Sequence, residues 1–204
     1  GNSRFSDMSA DGRFVVFAST ADNLGATVNG TDYHIYVYDR QTDTVEIVST
    51  DINGTPGNGQ SALPVISGDG QTVAFYSEAT NLAAGDTTSD WDLYLVDLMT
   101  NTIEFIDLTL VSLSDFTENS HRYLPELSHD GQFFTFSTET PNLVPGDTNG
   151  IRDAFVYDRQ ASTIEIVSVN DDGTQGNSGS WEPGISADGR FIIFYSSSDN
   201  LVAN

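Results

Sequence analysis

The sequence predicts an all-β protein built from repeated four-stranded units. One segment, a Ser-x-Asp-Gly corner followed by an apolar run, occurs four times. The four copies read SADGRFVVFAS (9–19), SGDGQTVAFYS (67–77), SHDGQFFTFST (128–138) and SADGRFIIFYS (186–196). An Asn-Leu pair and an aspartate that closes an aromatic-rich run recur in the same register. Since three independent markers share one register and no stretch has a helical period, the repeat is the unit of the fold.

The repeat is 58–61 residues long. Its Asp-Gly pairs begin at Asp11, Asp69, Asp130 and Asp188, which gives steps of 58, 61 and 58. We place the three extra residues of the longer step in 108–119, between two repeats and outside any strand. One segment spanning 1–204 therefore holds about 3.5 repeats. Their expected boundaries are 1–57, 58–118, 119–176 and a partial 177–204.

The second repeat shows the four strands predicted for each unit. A short strand at 63–67 precedes a tight turn at Asp69-Gly70, where we expect positive φ at both residues. The next run, 72–77, is almost wholly apolar and is predicted to be buried on both faces. The run 92–97 is rich in β-formers. The run 102–108 alternates apolar and polar residues, as a half-exposed edge strand does.

Four-stranded antiparallel units repeated along a chain indicate a β-propeller, in which each unit is one blade that cannot bury both its faces alone. The pattern P-x-I/L-S-x-D-G-x-x-x-x-F at 64–75 and 125–136, with D-x-F/Y-V-x-D downstream, resembles the WD40-like PD40 blades of TolB-type propellers. The resemblance covers essentially the whole chain. It implies the fold but no particular role, because such blades serve many functions.

The number of blades leaves two explanations open. Three repeats are complete, whereas the fourth stops at 201–204, after its second strand. Fewer than four blades cannot close a ring, and an open end exposes strand edges. Either the chain is a piece of a longer propeller, or two copies join as a homodimer into one composite ring.

Composition excludes several classes of function. The chain has 30 acidic and 7 basic residues, a net charge of −23. Such a surface repels nucleic acid, which is bound through clusters of Lys and Arg. Without cysteine, neither a disulfide framework nor a thiolate metal site can form. No apolar run reaches the roughly 20 residues of a membrane helix, so we expect no membrane span. The acidic surface suits cations or plain solubility.

Acidic loops before the third strand suggest a calcium site. The third repeat offers Asp147, Asn149 and Asp153, with Asp158 further on at the spacing of a calcium loop. Because Asp158 starts a hairpin turn, a continuous strand cannot curl back to bring it to an ion. The corresponding residues of the second repeat are Asp86, Asp90 and Asp92. Calcium takes 6–8 oxygen ligands, and each loop supplies about half. A calcium cofactor and solvated turn aspartates are the two interpretations.

Catalytic constellations are not predicted. His34, His121 and His129 fall in different parts of the repeat, so we expect surface imidazoles and not a metal centre. Glu126 and Glu182 lie near the first strand, but they hold different slots and do not recur, which disfavours a glycosidase acid pair.

We therefore predict a non-catalytic binding or scaffolding propeller module whose loops present an unidentified protein or carbohydrate ligand site. Trp91 and Trp181 either fill gaps between blades or stack on that ligand. The acidic, lysine-free and cysteine-free composition and the TolB-like pattern imply a secreted or periplasmic bacterial protein. The alternatives are the propeller domain of a hydrolase, lyase or peptidase, and a self-associating module that completes its ring with a second chain.

Overall fold

The structure, a computed structural model, describes residues 1–25, 28, 31–110 and 125–202. All regular secondary structure in these ranges is β-strand. None of the described residues belongs to a helix long and apolar enough to cross a membrane. The chain divides into two compact units, Gly1–Val111 and Ser112–Asn204, which are described separately below.

The first unit contains two four-stranded antiparallel sheets, each with its strands side by side in chain order. The first sheet comprises β1 (Ser3–Met8), β2 (Phe14–Ser19), β3 (His34–Asp39) and β4 (Thr44–Ile47). The second comprises β5 (Ser61–Ile66), β6 (Thr72–Ser77), β7 (Trp91–Asp97) and β8 (Thr102–Leu110). β6 has the predicted bounds and is buried at all six positions. β8 extends to Leu110, into the segment that holds the three-residue insertion, and the rest of that segment lies outside the described residues.

The second unit contains one complete sheet and half of another. The complete sheet comprises β9 (Glu126–Leu127), β10 (Phe133–Thr138), β11 (Asp153–Asp158) and β12 (Thr163–Ile166). The half sheet comprises β13 (Ser180–Ile185) and β14 (Ile192–Ser196). Three complete sheets and a half sheet confirm the predicted all-β architecture of about 3.5 four-stranded units.

The Asp-Gly corner differs from the predicted two-residue turn. Only its glycine has a positive φ, for example 75° at Gly70, whereas Asp69 does not. The loop is longer than expected, because the backbone N–H of Ser67 donates to the carbonyl of Thr72 at 2.8 Å and encloses four residues. Inside it the Ser67 hydroxyl donates to Asp69 Oδ1 at 2.6 Å. The aspartate thus works as a hydrogen-bond acceptor that fixes the loop, as aspartates do in turns.

The same loop chemistry recurs in all four corners. The serine hydroxyl donates to the aspartate at 2.6–2.7 Å in each copy. These bonds are the largest cause that lowers the pKa of Asp11, Asp130 and Asp188 below the ordinary aspartate value. The Ser-x-Asp-Gly signature is therefore a structural corner, and its hydrogen bonds favour the ionised form of Asp11, Asp130 and Asp188.

The first strand of the repeat carries a β-bulge. The register shifts inside β1, β5 and β13, beside a non-glycine residue with positive φ. These residues are Phe5, Leu63 and Glu182, with φ of 48°, 51° and 52°. Prolines follow two of them, Pro64 and Pro183. Proline is tolerated at a bulge because no ladder hydrogen bond is required of it there.

In the first unit the two sheets pack face to face through an apolar core. Twelve buried side chains form one cluster: Val16, Ala18, Ile35, Val37 and Val48 from the first repeat and Ile66, Val73, Phe75, Ala79, Leu82, Tyr94 and Val96 from the second. The rings of Phe75 and Tyr94 stack with centroids 5.7 Å apart. Apolar burial of this kind is the main stabilising contribution in a repeat fold, because both faces of a single sheet would be exposed to solvent.

Two polar contacts align the sheets of the first unit. Asp7 Oδ2 accepts the backbone N–H of Ile66 at 2.9 Å. At the corners, the N–H of Ala10 donates to the carbonyl of Gly68 at 2.9 Å. A carboxylate on the first strand of one sheet, β1, thus accepts a hydrogen bond from the backbone of the first strand of the next sheet, β5.

The second unit repeats both contacts. Glu126 Oε2 accepts the N–H of Ile185 at 3.1 Å, and the N–H of His129 donates to the carbonyl of Ala187 at 2.9 Å. Glu126 occupies the slot of Asp7 in the repeat, so the two acids are equivalent inter-sheet acceptors.

Glycine is required at the corner for two reasons. Gly70 and Gly189 have φ of +75° and +70°, which L side chains rarely adopt. In addition, a Cβ at Gly70 would lie 2.6 Å from the ring of Phe14, and one at Gly189 would lie 2.4 Å from the ring of Phe133. An aromatic side chain of one sheet therefore packs directly on the corner of the next.

A substitution of Ser162, in the turn between β11 and β12, would measure the free-energy cost of its strained backbone conformation. Its φ is 53°, a region that disfavours L residues by roughly 1–2 kcal/mol. We expect Ser162→Gly to raise the free energy of unfolding by up to ~1 kcal/mol, since glycine removes the strain but loses more chain entropy. Urea denaturation measures the change. Asn101→Gly is the matched control, because Asn101 has a φ of 54° at the equivalent position of the turn between β7 and β8, and asparagine tolerates this φ better. A loss of stability in Ser162→Gly would contradict the conclusion that the backbone at Ser162 is strained.

Candidate functional site: acidic loops and a groove between two sheets

The structure buries two of the predicted calcium ligands of the second repeat. Asp92 is 1% exposed, and its Oδ1 accepts the backbone N–H of Leu108 at 2.7 Å. Asp86 is also buried; its Oδ2 accepts the Tyr94 hydroxyl and its Oδ1 accepts the N–H of Thr88 at 3.2 Å. The oxygens of both carboxylates therefore already accept hydrogen bonds from protein groups.

The electrostatics of this loop raise the pKa of Asp92. Burial raises the pKa of Asp92 to about 6, and the negative charges of Asp107, Asp86 and Asp90 act in the same direction. The hydrogen bond from Leu108 opposes this rise and is the weaker influence. The loop thus holds more negative charge than its surroundings stabilise.

In the third repeat the corresponding aspartates share one donor. The amide Nε2 of Gln175 lies 3.4 Å from Asp147 Oδ1 and 3.3 Å from Asp153 Oδ2. The Ser168 hydroxyl donates to Asp153 Oδ1 at 2.5 Å. Burial raises the pKa of Asp153. Asn149 lies on the same loop, where its side-chain amide donates to a backbone carbonyl at 3.1 Å.

The present geometry of these loops does not fit calcium. Throughout the described ranges, no group of three or more His, Asp or Glu side chains is arranged to hold a metal ion. Calcium requires 6–8 oxygens, whereas each loop presents two buried carboxylates already engaged by hydrogen bonds. Calcium binding at Asp86, Asp90, Asp92, Asp147, Asn149 and Asp153 stays a prediction, with carboxylates that serve only as hydrogen-bond acceptors of the loops as the alternative.

His34 differs from the predicted surface imidazole. It occupies the strand position of Asp92 and Asp153, and it is 1% exposed. Within the described residues neither ring nitrogen has a hydrogen-bond partner, and burial lowers the pKa of His34. The prediction was wrong because the slot is buried in each sheet, whatever residue fills it. His129 is exposed, as predicted. His121 lies outside the described residues.

The two glutamates considered as an acid pair have structural roles in the sheets. Glu126 accepts an inter-sheet hydrogen bond, and Glu182 occupies the bulge of β13. Of the two tryptophans, Trp91 is buried, as expected for a side chain that fills a gap. Trp181 is partly buried, and its ring lies 2.9 Å from the position that a Cβ at Gly179 would take.

A groove of about 750 Å³ runs along the seam between the two sheets of the first unit. It was not predicted from the sequence. Its walls are the β3–β4 hairpin on one side and the β5–β6 and β7–β8 turns on the other. The lining residues are Arg13, Phe14, Val37, Asp39, Thr42, Thr44, Glu46, Asp69, Gly70, Gln71, Leu98 and Met99.

The charges of the groove are unbalanced. Arg13 donates two hydrogen bonds to Asp39, Nε to Oδ1 at 3.1 Å and Nη2 to Oδ2 at 2.7 Å. This guanidinium holds the pKa of Asp39 well below the usual range. Since Arg13 is neutralised by Asp39, the carboxylates of Glu46 and Asp69 leave the groove net negative.

Beside the polar Thr42, Thr44 and Gln71, four apolar side chains contribute to the surface of the groove. Val37 is buried, Phe14 and Leu98 are partly exposed, and Met99 is 75% exposed. A long, flexible methionine on a turn is an adaptable apolar contact. The groove therefore combines apolar contact area with a negative rim.

Asp92→Asn distinguishes the two interpretations of the acidic loop. The folded pKa of about 6 lies above the unfolded value of ~3.9, so wild-type stability falls as the pH rises between these values and stays constant above them. We expect Asp92→Asn to raise the free energy of unfolding at about pH 8 by up to ~3 kcal/mol, and the gain to vanish near about pH 4. Thermal and urea unfolding measure it.

The calcium interpretation predicts the opposite outcome in the same experiment. Calcium would raise the wild-type melting midpoint, because a ligand specific for the native state stabilises it, and Asp92→Asn would abolish that rise. Asp90→Asn is the matched control, since it removes the same charge from the same loop at a partly exposed position. We expect it to change stability by less than ~0.5 kcal/mol.

No protein-family model and no curated protein matches the chain, but its fold is found among solved structures. It is similar to TolB from Acinetobacter baumannii, at 18% identity and a TM-score of 0.53 over 95% of this chain and 37% of that one. It is also similar to a TolB protein from Agrobacterium tumefaciens, at 18% identity and a TM-score of 0.51. That match covers 96% of this chain and 59% of the Agrobacterium protein. The tricorn protease is similar at 18% identity and a TM-score of 0.56, over 100% of this chain and 16% of the protease.

The chain thus spans less than two thirds of the length of each of these three proteins. At such identities the likeness concerns the fold. The resemblance expected from the repeated Pro-x-Ile-Ser-x-Asp-Gly pattern is confirmed at that level: residues 1–204 have the fold of a TolB-type β-propeller, with about three and a half blades.

Proposed function

We propose that the chain is a non-catalytic binding module of a secreted or periplasmic bacterial protein, and that the groove of the first unit takes up a polypeptide ligand. The observation that carries this proposal is the lining of the groove, in which the exposed Met99 and the partly exposed Phe14 and Leu98 adjoin two carboxylates. Within the described residues these carboxylates, Glu46 and Asp69, form no ion pair. Ligand sites commonly combine apolar contact area with a few placed polar groups.

The groove is supported by fixed turns. Asp39 Oδ1 accepts the backbone N–H of Gln41 at 2.8 Å, and Asp97 Oδ1 accepts the N–H of Met99 at 2.9 Å. These bonds hold the turns of both walls, and the sheets behind them are buried. A ligand that enters therefore orders little new structure, which lowers the entropic cost of binding.

The chemistry of the rim favours a basic ligand. Glu46 and Asp69 face the groove, and the whole chain carries a net charge of −23. Such a field attracts cations over distances of a Debye length and repels acidic partners. A segment that alternates Lys or Arg with aliphatic side chains would place its cations at the rim and its apolar groups against Phe14, Leu98 and Met99.

Glu46→Lys tests the groove with defined probes. We expect a peptide of alternating Leu and Lys to shift the amide NMR resonances of Thr44, Gln71 and Met99 in a saturable way. Glu46→Lys should weaken its binding roughly three- to tenfold, since it replaces an attractive charge by a repulsive one.

Glu104→Lys is the matched control. Glu104 occupies the slot of Glu46 in the next repeat, outside the groove lining, and its substitution changes the net charge equally. Equal weakening by both variants would show non-specific attraction and contradict the proposed site. So would saturable shifts of the same resonances by a neutral oligosaccharide and not by the peptide, which would make the ligand a carbohydrate.

A further inference from the structure

The turn between β7 and β8 differs from the turns at the same place in the other two complete sheets. The two residues after the closing aspartate read Arg-Gln at 40–41 and at 159–160, but Leu-Met at 98–99. Both of these apolar residues line the groove of the first unit. The repeat therefore changes from polar to apolar residues at the place where a ligand is proposed to bind.

In the other two sheets the turn arginine binds the corner between the first and second strands. Arg40 Nη1 donates to the carbonyl of Gly12 at 2.6 Å, and Arg159 Nη1 donates to the carbonyl of Gly131 at 3.1 Å. Both glycines belong to the Ser-x-Asp-Gly corner of their sheets. A guanidinium on the corner carbonyl is therefore a feature of the repeat.

The corner carbonyl of the second sheet lacks this donor. Its glycine is Gly70, which lines the groove, and Leu98 occupies the position of the arginine. Within the described residues, no hydrogen bond reaches the carbonyl oxygen of Gly70. The side chain of Leu98 packs against the buried core of the unit. This packing accounts for an apolar residue at 98, but it gives the carbonyl of Gly70 no donor.

We propose that the ligand of the groove supplies the missing guanidinium: an arginine of the bound polypeptide donates to the carbonyl of Gly70, as Arg40 does to that of Gly12. The assignment rests on the proposed function of the groove, and it names arginine and not lysine as the anchoring residue. A guanidinium carries five N–H donors in a planar fork, whereas an ammonium is a compact charge with three donors. The fork lets one side chain bind the carbonyl and a neighbouring carboxylate together.

The acceptors beside Gly70 suit the remaining donors of the guanidinium. Asp69 Oδ1 accepts the Ser67 hydroxyl at 2.6 Å and the N–H of Gln71 at 3.0 Å, whereas its Oδ2 accepts no hydrogen bond from the described residues. Glu46, which also lines the groove, forms no ion pair with them either. The groove thus offers a guanidinium one neutral acceptor and two carboxylates, and charge-assisted hydrogen bonds are about twice as strong as neutral ones.

The groove can also accommodate the aliphatic part of an arginine side chain. Such stems lie along apolar surface while the charged end binds polar groups, and Leu98 and Met99 provide that surface. Arg13 shows the arrangement in the same groove, since its guanidinium lies 4.5 Å from the centroid of the Phe14 ring and donates to Asp39. Because Asp39 neutralises Arg13, its repulsion of an incoming guanidinium is weak.

Three peptides of about ten residues test the anchor on the wild-type chain. Each alternates leucine with one cationic residue: arginine, lysine or dimethylarginine, which keeps the charge but blocks bidentate hydrogen bonding. We expect the arginine peptide to bind about five- to tenfold more tightly than the other two in titration calorimetry. Its binding should also shift the amide nitrogen resonance of Gln71, because that nitrogen shares a peptide bond with the carbonyl of Gly70.

Leu98→Arg places the arginine of the repeat in the groove. We expect its guanidinium to bind the carbonyl of Gly70, to weaken the arginine peptide about tenfold and to remove the advantage of that peptide over the lysine peptide. Thr100→Arg is the matched control, because Thr100 is an exposed residue of the same turn outside the groove lining. It adds the same charge, so it should weaken both peptides equally and preserve the advantage. Circular dichroism shows whether each variant folds, and the comparison of peptides on the wild-type chain does not depend on either.

The possible failures of the anchor and of the groove are distinguishable. An arginine peptide that binds the wild-type chain no more tightly than either of the other two would overturn the arginine anchor and leave the proposed function standing. A folded Leu98→Arg variant that prefers the arginine peptide as strongly as the wild type does would have the same meaning. If none of the peptides shifts the resonances of Thr44, Gln71 and Met99, the groove binds no basic polypeptide, and the proposed function fails together with the anchor.

Discussion

Each sheet of this protein has two apolar faces, and the need to bury both is the constraint on which the rest of the structure depends. β6 is buried at every position, and β7 at all but its last. At about 25 cal/mol per Å² of apolar surface, this burial outweighs single hydrogen bonds, each of which contributes about 1 kcal/mol. The Asp7–Ile66 contact and the corner glycines therefore set the spacing and register of the sheets more than their stability.

The repeat and most strands could be predicted because their signals are local. The corner, the apolar run of β6 and the aromatic third strand each lie within a few residues of sequence, and β6 was predicted to the residue. The φ of Asp69 was not, since Asp-Gly is compatible with a two-residue turn and with the longer loop that the Ser67–Thr72 pairing encloses. The bulge at Leu63 was also missed, because only the paired register reveals it.

The candidate sites were harder to predict because they depend on distant residues. Asp92 is bound by Leu108, and Asp153 by Ser168 and Gln175, so the local acidic pattern could not show that these carboxylates are already engaged. His34 looked exposed because its type is polar, although its slot is buried. The groove had one sequence signal, the arginine of the corner and the closing aspartate 26 residues later, which form the Arg13–Asp39 pair.

Native-state hydrogen exchange of the full chain tests the central constraint most directly. If burial of both faces sets local stability, amides of β6 should exchange only through global unfolding, whereas those of β14, with its exposed Ile193 and Tyr195, should exchange much faster through local opening. Comparable protection of β6 and β14 would contradict the account, because it would mean that a sheet with one open face and one open edge is as stable as one enclosed on both sides.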